Sequence, residues 1–149
     1  MSYRMLRQRA VLGMIALAGA LGIVVGCASM SQPMSTQQVV LSGSNEVPPV
    51  TTPASGTGTV TINPDHTVSA SITVTGMTAT ASHIHEGAAG ANGPVIVPFT
   101  KTADNTFAAP AGAKLTDSQY ASYKAGNLYV NVHSAKNPGG EVRAQLKGN

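Results

Sequence analysis

Four histidines punctuate a chain with few other reactive side chains, and three of them are spaced as strand neighbours. In Ser82-His83-Ile84-His85-Glu86 the two imidazoles are two residues apart, so an extended backbone puts both on one face and Ile84 on the other. In Leu128-Tyr129-Val130-Asn131-Val132-His133 the aliphatic side chains share a face, which leaves Tyr129, Asn131 and His133 opposite. If the two strands are close, His83, His85 and His133 form a three-imidazole cluster, a ligand set suited to zinc or copper. The competing reading is three partly exposed histidines that hydrogen-bond loop backbone. His66 sits in the polar turn Asn63-Pro64-Asp65-His66 and reads as a surface residue. Glu46, Glu86 and Glu141 are available as carboxylate ligands, or pair with backbone donors or a cation. Arg143, two residues after Glu141 and on the same strand face, is the expected cation.

Other catalytic patterns are missing. There is no GxSxG, no P-loop and no His-x-x-Glu-His run, and Cys27 is the single cysteine. Asp104 and Asp117 fall in separate polar loops, where solvation accounts for them. The expectation is a chain that is not an enzyme.

The elements that must position the histidines are strands. Only 10% of residues are charged and 4% aromatic, while Gly (16) and Pro (9) accompany many Thr, Ser, Val and Ala. This is the composition of short strands and tight turns. Thr57–Ile62 and Thr67–Thr75 alternate hydroxylic and aliphatic residues around the 63–66 turn and read as a β-hairpin. Ala79–Glu86, Val95–Thr100, Thr106–Ala109, Asn127–Ser134 and Glu141–Lys147 are further strands. Asn137-Pro138-Gly139-Gly140 suits a type II turn. One segment differs: Thr116-Asp117-Ser118-Gln119 matches a capping box, with Tyr120, Tyr123 and Lys124 at helical spacing and Gly126 to end the helix. The fold expected is all-β, an antiparallel sandwich or barrel with one short helix near 116–125.

The N-terminus carries an address. Arg4, Arg7 and Arg9 precede an apolar run from Ala10 to Val25, shorter than the roughly 20 residues that span a bilayer. Val24-Val25-Gly26-Cys27 resembles the lipobox of bacterial lipoproteins, which implies cleavage of residues 1–26 and lipid on Cys27. A plain secretory signal cut near Ala28-Ser29-Met30 is the alternative. Ala28 after the cysteine favours the outer membrane of the cell envelope. Residues 27–38 read as the lipidated cysteine and a flexible tether, because Ala28–Gln38 has neither charge nor apolar periodicity. Without the three leader arginines the remaining six cations face six acids, so there is no basic stripe and nucleic acid is excluded as a partner.

Three blocks of the region 39–149 together resemble the CHRD domain, named for chordin. They are Leu41-Ser42-Gly43-Ser44-Asn45-Glu46-Val47-Pro48-Pro49-Val50, then Ala81-Ser82-His83-Ile84-His85-Glu86-Gly87, then Ala125–His133 followed by Asn137-Pro138-Gly139-Gly140-Glu141-Val142-Arg143. Asn45, Glu46, Pro48, Pro49, Gly139, Gly140, Glu141 and Arg143 carry the resemblance outside the histidine blocks. It implies a β-rich extracytoplasmic module and, for bacterial members, no established activity. With the lipobox-like run, the expectation is a module anchored to the membrane through lipid, with an unknown protein or small ligand as its partner. A fainter resemblance is to the copper/zinc superoxide dismutases, whose β-barrel holds a His-x-His copper pair; His83, His85 and His133 match in kind. The zinc-binding run, the disulfide and the catalytic arginine loop of those enzymes are not recognisable here. Two functions are therefore carried forward, a non-enzymatic binding module and a copper- or zinc-binding protein.

Overall fold

The computed structural model describes residues 35–148. The signal segment and Cys27 lie outside the described residues, as does the tether up to residue 34. Nine strands form a single sheet: β1 Ser35–Ser42, β2 Ser55–Ile62, β3 Val68–Thr75, β4 Ala79–Glu86, β5 Val95–Pro98, β6 Thr100–Ala103, β7 Thr106–Ala108, β8 Leu128–Ser134 and β9 Val142–Gln145. The spatial order is β5-β4-β8-β9-β1-β2-β3-β7-β6, and every pairing is antiparallel. The two ends of that order, β5 and β6, are consecutive in the chain and separated only by Phe99. A sheet whose outer strands are one residue apart must curl until they meet, and the result is a nearly closed barrel. Phe99 marks the corner: its N–H donates to the Ser82 carbonyl on β4 at 3.0 Å.

Alternation decides which side chains go inside. Val60 and Ile62 on β2 and Val68, Ile72 and Val74 on β3 point into the core, while the intervening Ser and Thr residues face outward. Ile84, Val130, Val132, Val142 and Ala144 continue the same interior across β4, β8 and β9. The hairpin expected from the 63–66 turn is present, with Ile62 paired to Val68. Gly58 is required where β2 passes β3, since a Cβ there would run into the Ser71 carbonyl and Ile72.

The helix α1, Asp117–Lys124, starts with both halves of its capping box: Gln119 N–H donates to Thr116 Oγ1 at 3.2 Å, and Thr116 N–H to Gln119 Oε1 at 2.9 Å. Tyr123 is its buried residue. Ser122 Oγ donates to Glu86 Oε1 at 2.5 Å, tying the helix to the end of β4.

Three expectations need correction. Ser35–Gln38 belong not to the tether but to β1, whose backbone pairs along all of β2. Gln37 further bridges to Lys147, donating to its carbonyl at 3.0 Å and accepting from its N–H at 2.8 Å. Val95–Thr100 is not one strand: the chain turns at Phe99 and the fully exposed β6, which has no apolar alternation to reveal it, pairs with β7. The 137–140 turn closes through Gly140 N–H to Asn137 O at 3.1 Å, but the positive φ falls on Gly140 and not on Gly139, so it is not type II.

Ile84 is fully buried and Val40 is 69% exposed. Ile84→Ala should therefore cost about 2–5 kcal/mol by transfer and cavity effects, while Val40→Ala should stay within about 0.5 kcal/mol. Urea unfolding of both variants measures the contrast.

Candidate metal centre

β4, β8 and β9 lie side by side, and their registers set out a small grid of polar side chains on the face away from the barrel interior. Ala81, His83 and His85 of β4 stand opposite His133, Asn131 and Tyr129 of β8. Asn131 and Tyr129 stand in turn opposite Arg143 and Gln145 of β9. This face is covered: β8 is buried at all seven residues. The 87–94 loop, the 135–140 turn and the 43–50 segment supply that cover through the hydrogen bonds described below.

The three histidines expected to cluster do so. Their candidate ligand atoms all lie within 4.8 Å of one another, and His83 Nδ1 is 3.0 Å from His133 Nε2. His85 and His133 are buried, His83 half-buried. Second partners orient two of the rings. His85 Nδ1 is 2.9 Å from the Gly93 carbonyl and His133 Nδ1 is 3.0 Å from the Pro138 carbonyl. A carbonyl only accepts, so both rings carry their proton on Nδ1 and present Nε2 as a lone pair, which in His133 accepts from His83 Nδ1. Such backbone carbonyls are the usual outer partners of metal-ligating imidazoles. Burial, reinforced by the neighbouring His133 and His85, pushes His83 down to about 4. Burial likewise holds His85 and His133 below the ordinary imidazole range. All three rings are thus neutral at pH 7, the form that coordinates.

Tyr129 and Arg143 build the wall beside the cluster. The Tyr129 ring stacks on His85 at 4.8 Å between centroids and 8° between planes, and the Arg143 guanidinium lies 3.4 Å from the same ring's centroid. Arg143 is 1% exposed and its guanidinium is hydrogen-bonded mainly to carbonyl groups: its Nη2 donates to Ala88 O and Ala91 O, and its Nη1 to Asn92 Oδ1. The expected Glu141–Arg143 pair does not form. Glu141 instead accepts from Thr52 Oγ1 at 2.6 Å. Burial raises its pKa, but hydrogen bonds from Ser134, Thr52 and Asn137 outweigh that and hold its carboxyl below the ordinary range. The carboxyl nearer to Arg143 in its influence is Glu46, buried and pushed up to about 7 against the opposing pull of Arg143, Asn131 and the Val47 backbone.

Of the other motif residues, Asn45 donates to the Arg143 carbonyl at 3.1 Å. Pro48, Pro49 and Gly139 are exposed, and Gly140 is buried over the Glu46 and Asn131 side chains. His66 is a partly exposed residue outside the cluster, stacked on Tyr120 at 4.3 Å and facing Asp117. Asn131 and the Gly93 and Pro138 carbonyls are parts of the centre that residue types did not reveal. Alternation places Asn131 on the histidine face, but backbone acceptors leave no mark in a sequence.

Two opposing pH effects follow. Unfolded histidine takes up a proton below about 6.5 while folded His83 waits until about 4, so its contribution to stability is present above 6.5 and is lost as pH falls toward 4. Glu46 acts in the opposite sense: its contribution is present below 4.5 and is lost as pH rises through about 7. Glu46→Gln removes the second effect alone, so stability should climb more steeply between pH 4.5 and 6.5 than in the wild type. Urea unfolding at several pH values reads the two slopes, and parallel slopes would reject the assignment.

No curated protein and no solved structure matches the chain. The family model that matches, over residues 37–146, is the CHRD domain. It takes in both histidine strands, the 43–50 segment and the Gly140–Arg143 run, and on that extent of match the chain belongs to the CHRD domain family.

Proposed function

We propose that this protein is a non-enzymatic, lipid-anchored binding module of the bacterial cell envelope, and that its ligand is one copper or zinc ion held by His83, His85 and His133. The observation that carries the metal reading is the convergence of three neutral imidazoles whose ligand atoms lie within 4.8 Å. Two of these rings are held by backbone carbonyls so that Nε2 faces inward. Metal–nitrogen bonds of about 2.0–2.1 Å in a tetrahedral site put ligand nitrogens roughly 3.3–3.5 Å apart. The spread here, from 3.0 Å upward to 4.8 Å, brackets that value, so small ring rotations seat an ion. In the absence of metal the His83 Nδ1 proton fills the contact to His133 Nε2. Metal would take that proton's place, moving it to His83 Nε2 or to solvent.

Purified protein, free of affinity tags, should hold one equivalent of zinc or copper by elemental analysis. His83→Ala, His85→Ala and His133→Ala should each weaken binding strongly, because two imidazoles leave only a weak chelate. His66→Ala should not change it. Binding should weaken with acid, and because burial holds all three rings below the ordinary imidazole value of 6.5, the loss should begin below that value. Metal-free wild-type protein after exposure to excess zinc and copper would overturn the reading.

Anchoring is supported by the lipobox-like run ending at Cys27. Outer-membrane placement is supported by Ala28, and an additional protein or small-molecule partner remains compatible with a module of this family. Cys27→Ala should release the protein from the membrane fraction without unfolding the domain. Equal membrane retention of wild type and variant would defeat the lipid anchor.

A further inference from the structure

The polar layer leaves several atoms with no partner, and they gather in one place. Among the described residues, Glu46 Oε1, His85 Nε2 and Asn131 Oδ1 are buried without a hydrogen bond, and the fourth such atom, Asn63 Oδ1, belongs to the distant 63–66 turn. All are acceptors, and buried acceptors are rarely left alone. His85 spends its proton on the Gly93 carbonyl, so Nε2 presents a lone pair. The side chain that this ring interacts with is Asn131, whose amide oxygen is also unpaired.

Turning the amide over would give His85 Nε2 a donor, but it would also turn Oδ1 toward the Glu46 carboxyl. The position of Gly140 shows how close those groups are. A Cβ there would lie 2.5 Å from Glu46 Oε1 and 2.7 Å from Asn131 Nδ2, so both side chains reach the same spot beneath a residue that must be glycine, with φ of 136°. In its ionised form the Glu46 carboxylate, which interacts with the Asn131 amide, keeps the NH2 on its own side and Oδ1 on the histidine side. Asn131 is central to the cluster, directly opposite His83 and two residues before His133, and is 1% exposed.

We propose that Asn131 completes the three-histidine centre, its Oδ1 serving as a fourth donor to the ion, and that Glu46 is the positioning residue that holds the amide in this orientation. The inference rests on the metal reading above and adds to it an N3O donor set on the floor of the site. A weak amide-oxygen ligand beside imidazoles suits copper, and it also fills the fourth position of a tetrahedral zinc site.

Cobalt(II) reports the donor set through its visible d–d bands, so Co²⁺ is titrated into the full-length protein purified in detergent, followed by displacement with Zn²⁺. Wild type should bind one equivalent. Asn131→Ala should weaken binding by about tenfold or more and alter the bands as water replaces the amide. Glu46→Gln keeps an acceptor for the amide and should match wild type, whereas Glu46→Ala should follow Asn131→Ala. Where alanine at 131 prevents folding, Asn131→Asp retains the shape and an oxygen. Retained binding with changed bands then supports direct ligation, and bands identical to wild type overturn it. Wild-type affinity and bands in Asn131→Ala overturn this inference while leaving the three-histidine centre intact. Failure of the wild type itself to bind Co²⁺ or Zn²⁺ overturns the metal reading on which it rests.

Discussion

A strand buried on both faces has to find a partner for every polar atom it hides, and β8 is under that constraint along its whole length. Its inner row, Leu128, Val130 and Val132, is satisfied by apolar packing in the barrel. Its outer row, Tyr129, Asn131 and His133, is not; the surrounding loops meet the need of Tyr129 and His133, and Asn131 Oδ1 is left without a partner. Tyr129 accepts from Gly93 N–H, and His133 donates to the Pro138 carbonyl. Arg143, one strand over, stacks on Tyr129 and donates to the carbonyls of the 87–94 loop. The barrel therefore carries a second, polar core on its outside, and the histidine cluster belongs to it. Removing any one partner here would leave a buried polar group unpaired, which costs about 1–3 kcal/mol per group.

Local periodicity was enough to read some of this and not the rest. The Thr/Val alternation around Asn63-Pro64-Asp65-His66 marks the β2–β3 hairpin, and Thr116 with Gln119 marks the helix start, because each signal is complete within a few residues. Period two likewise puts His83 and His85 on one face and His133 on the polar face of its own strand. That β4 and β8 are neighbours is a different kind of fact. Two strands of the sheet edges, β7 and the helix lie between them in the chain, and a pairing across so long a separation leaves no local pattern. β6 and the first half of β1 carry no such signal for a related reason. Their side chains are polar, and what holds them is backbone pairing with a neighbour that alternation cannot name.

Arg143 shows where pairing rules by sequence distance fail. Glu141 shares its strand and is two residues away, yet its carboxylate is taken up by the hydroxyl of Thr52. The guanidinium instead lies within electrostatic reach of Tyr129 and of Glu46, the latter brought in from the other end of the domain by the 43–50 segment. Buried charge is compensated by whatever acceptors the fold delivers, and carbonyl oxygens from the 87–94 loop deliver most of them.

That loop also explains why a centre this ordered can be flanked by Gly, Ala, Asn and Pro. The residues of Gly87–Pro94 contribute backbone more than side chains: Gly93 accepts from His85, Ala88 and Ala91 accept from Arg143, and Gly87 accepts from Gln145. Asn92 is the exception, with its amide donating to the Val47 carbonyl and accepting from Arg143. Small residues let the backbone approach closely enough to serve as the acceptor wall, while the rigid strands carry the groups whose positions matter most. Strand-borne imidazoles oriented by loop carbonyls form a largely preorganised arrangement, in which the backbone supports of His85 and His133 are already in place. The His83–His133 contact differs from the others in being a hydrogen bond between two candidate ligands and not between a ligand and its support. It is the contact an entering cation would break, and it lies beside His83, the half-buried histidine of the three and the one nearest to solvent.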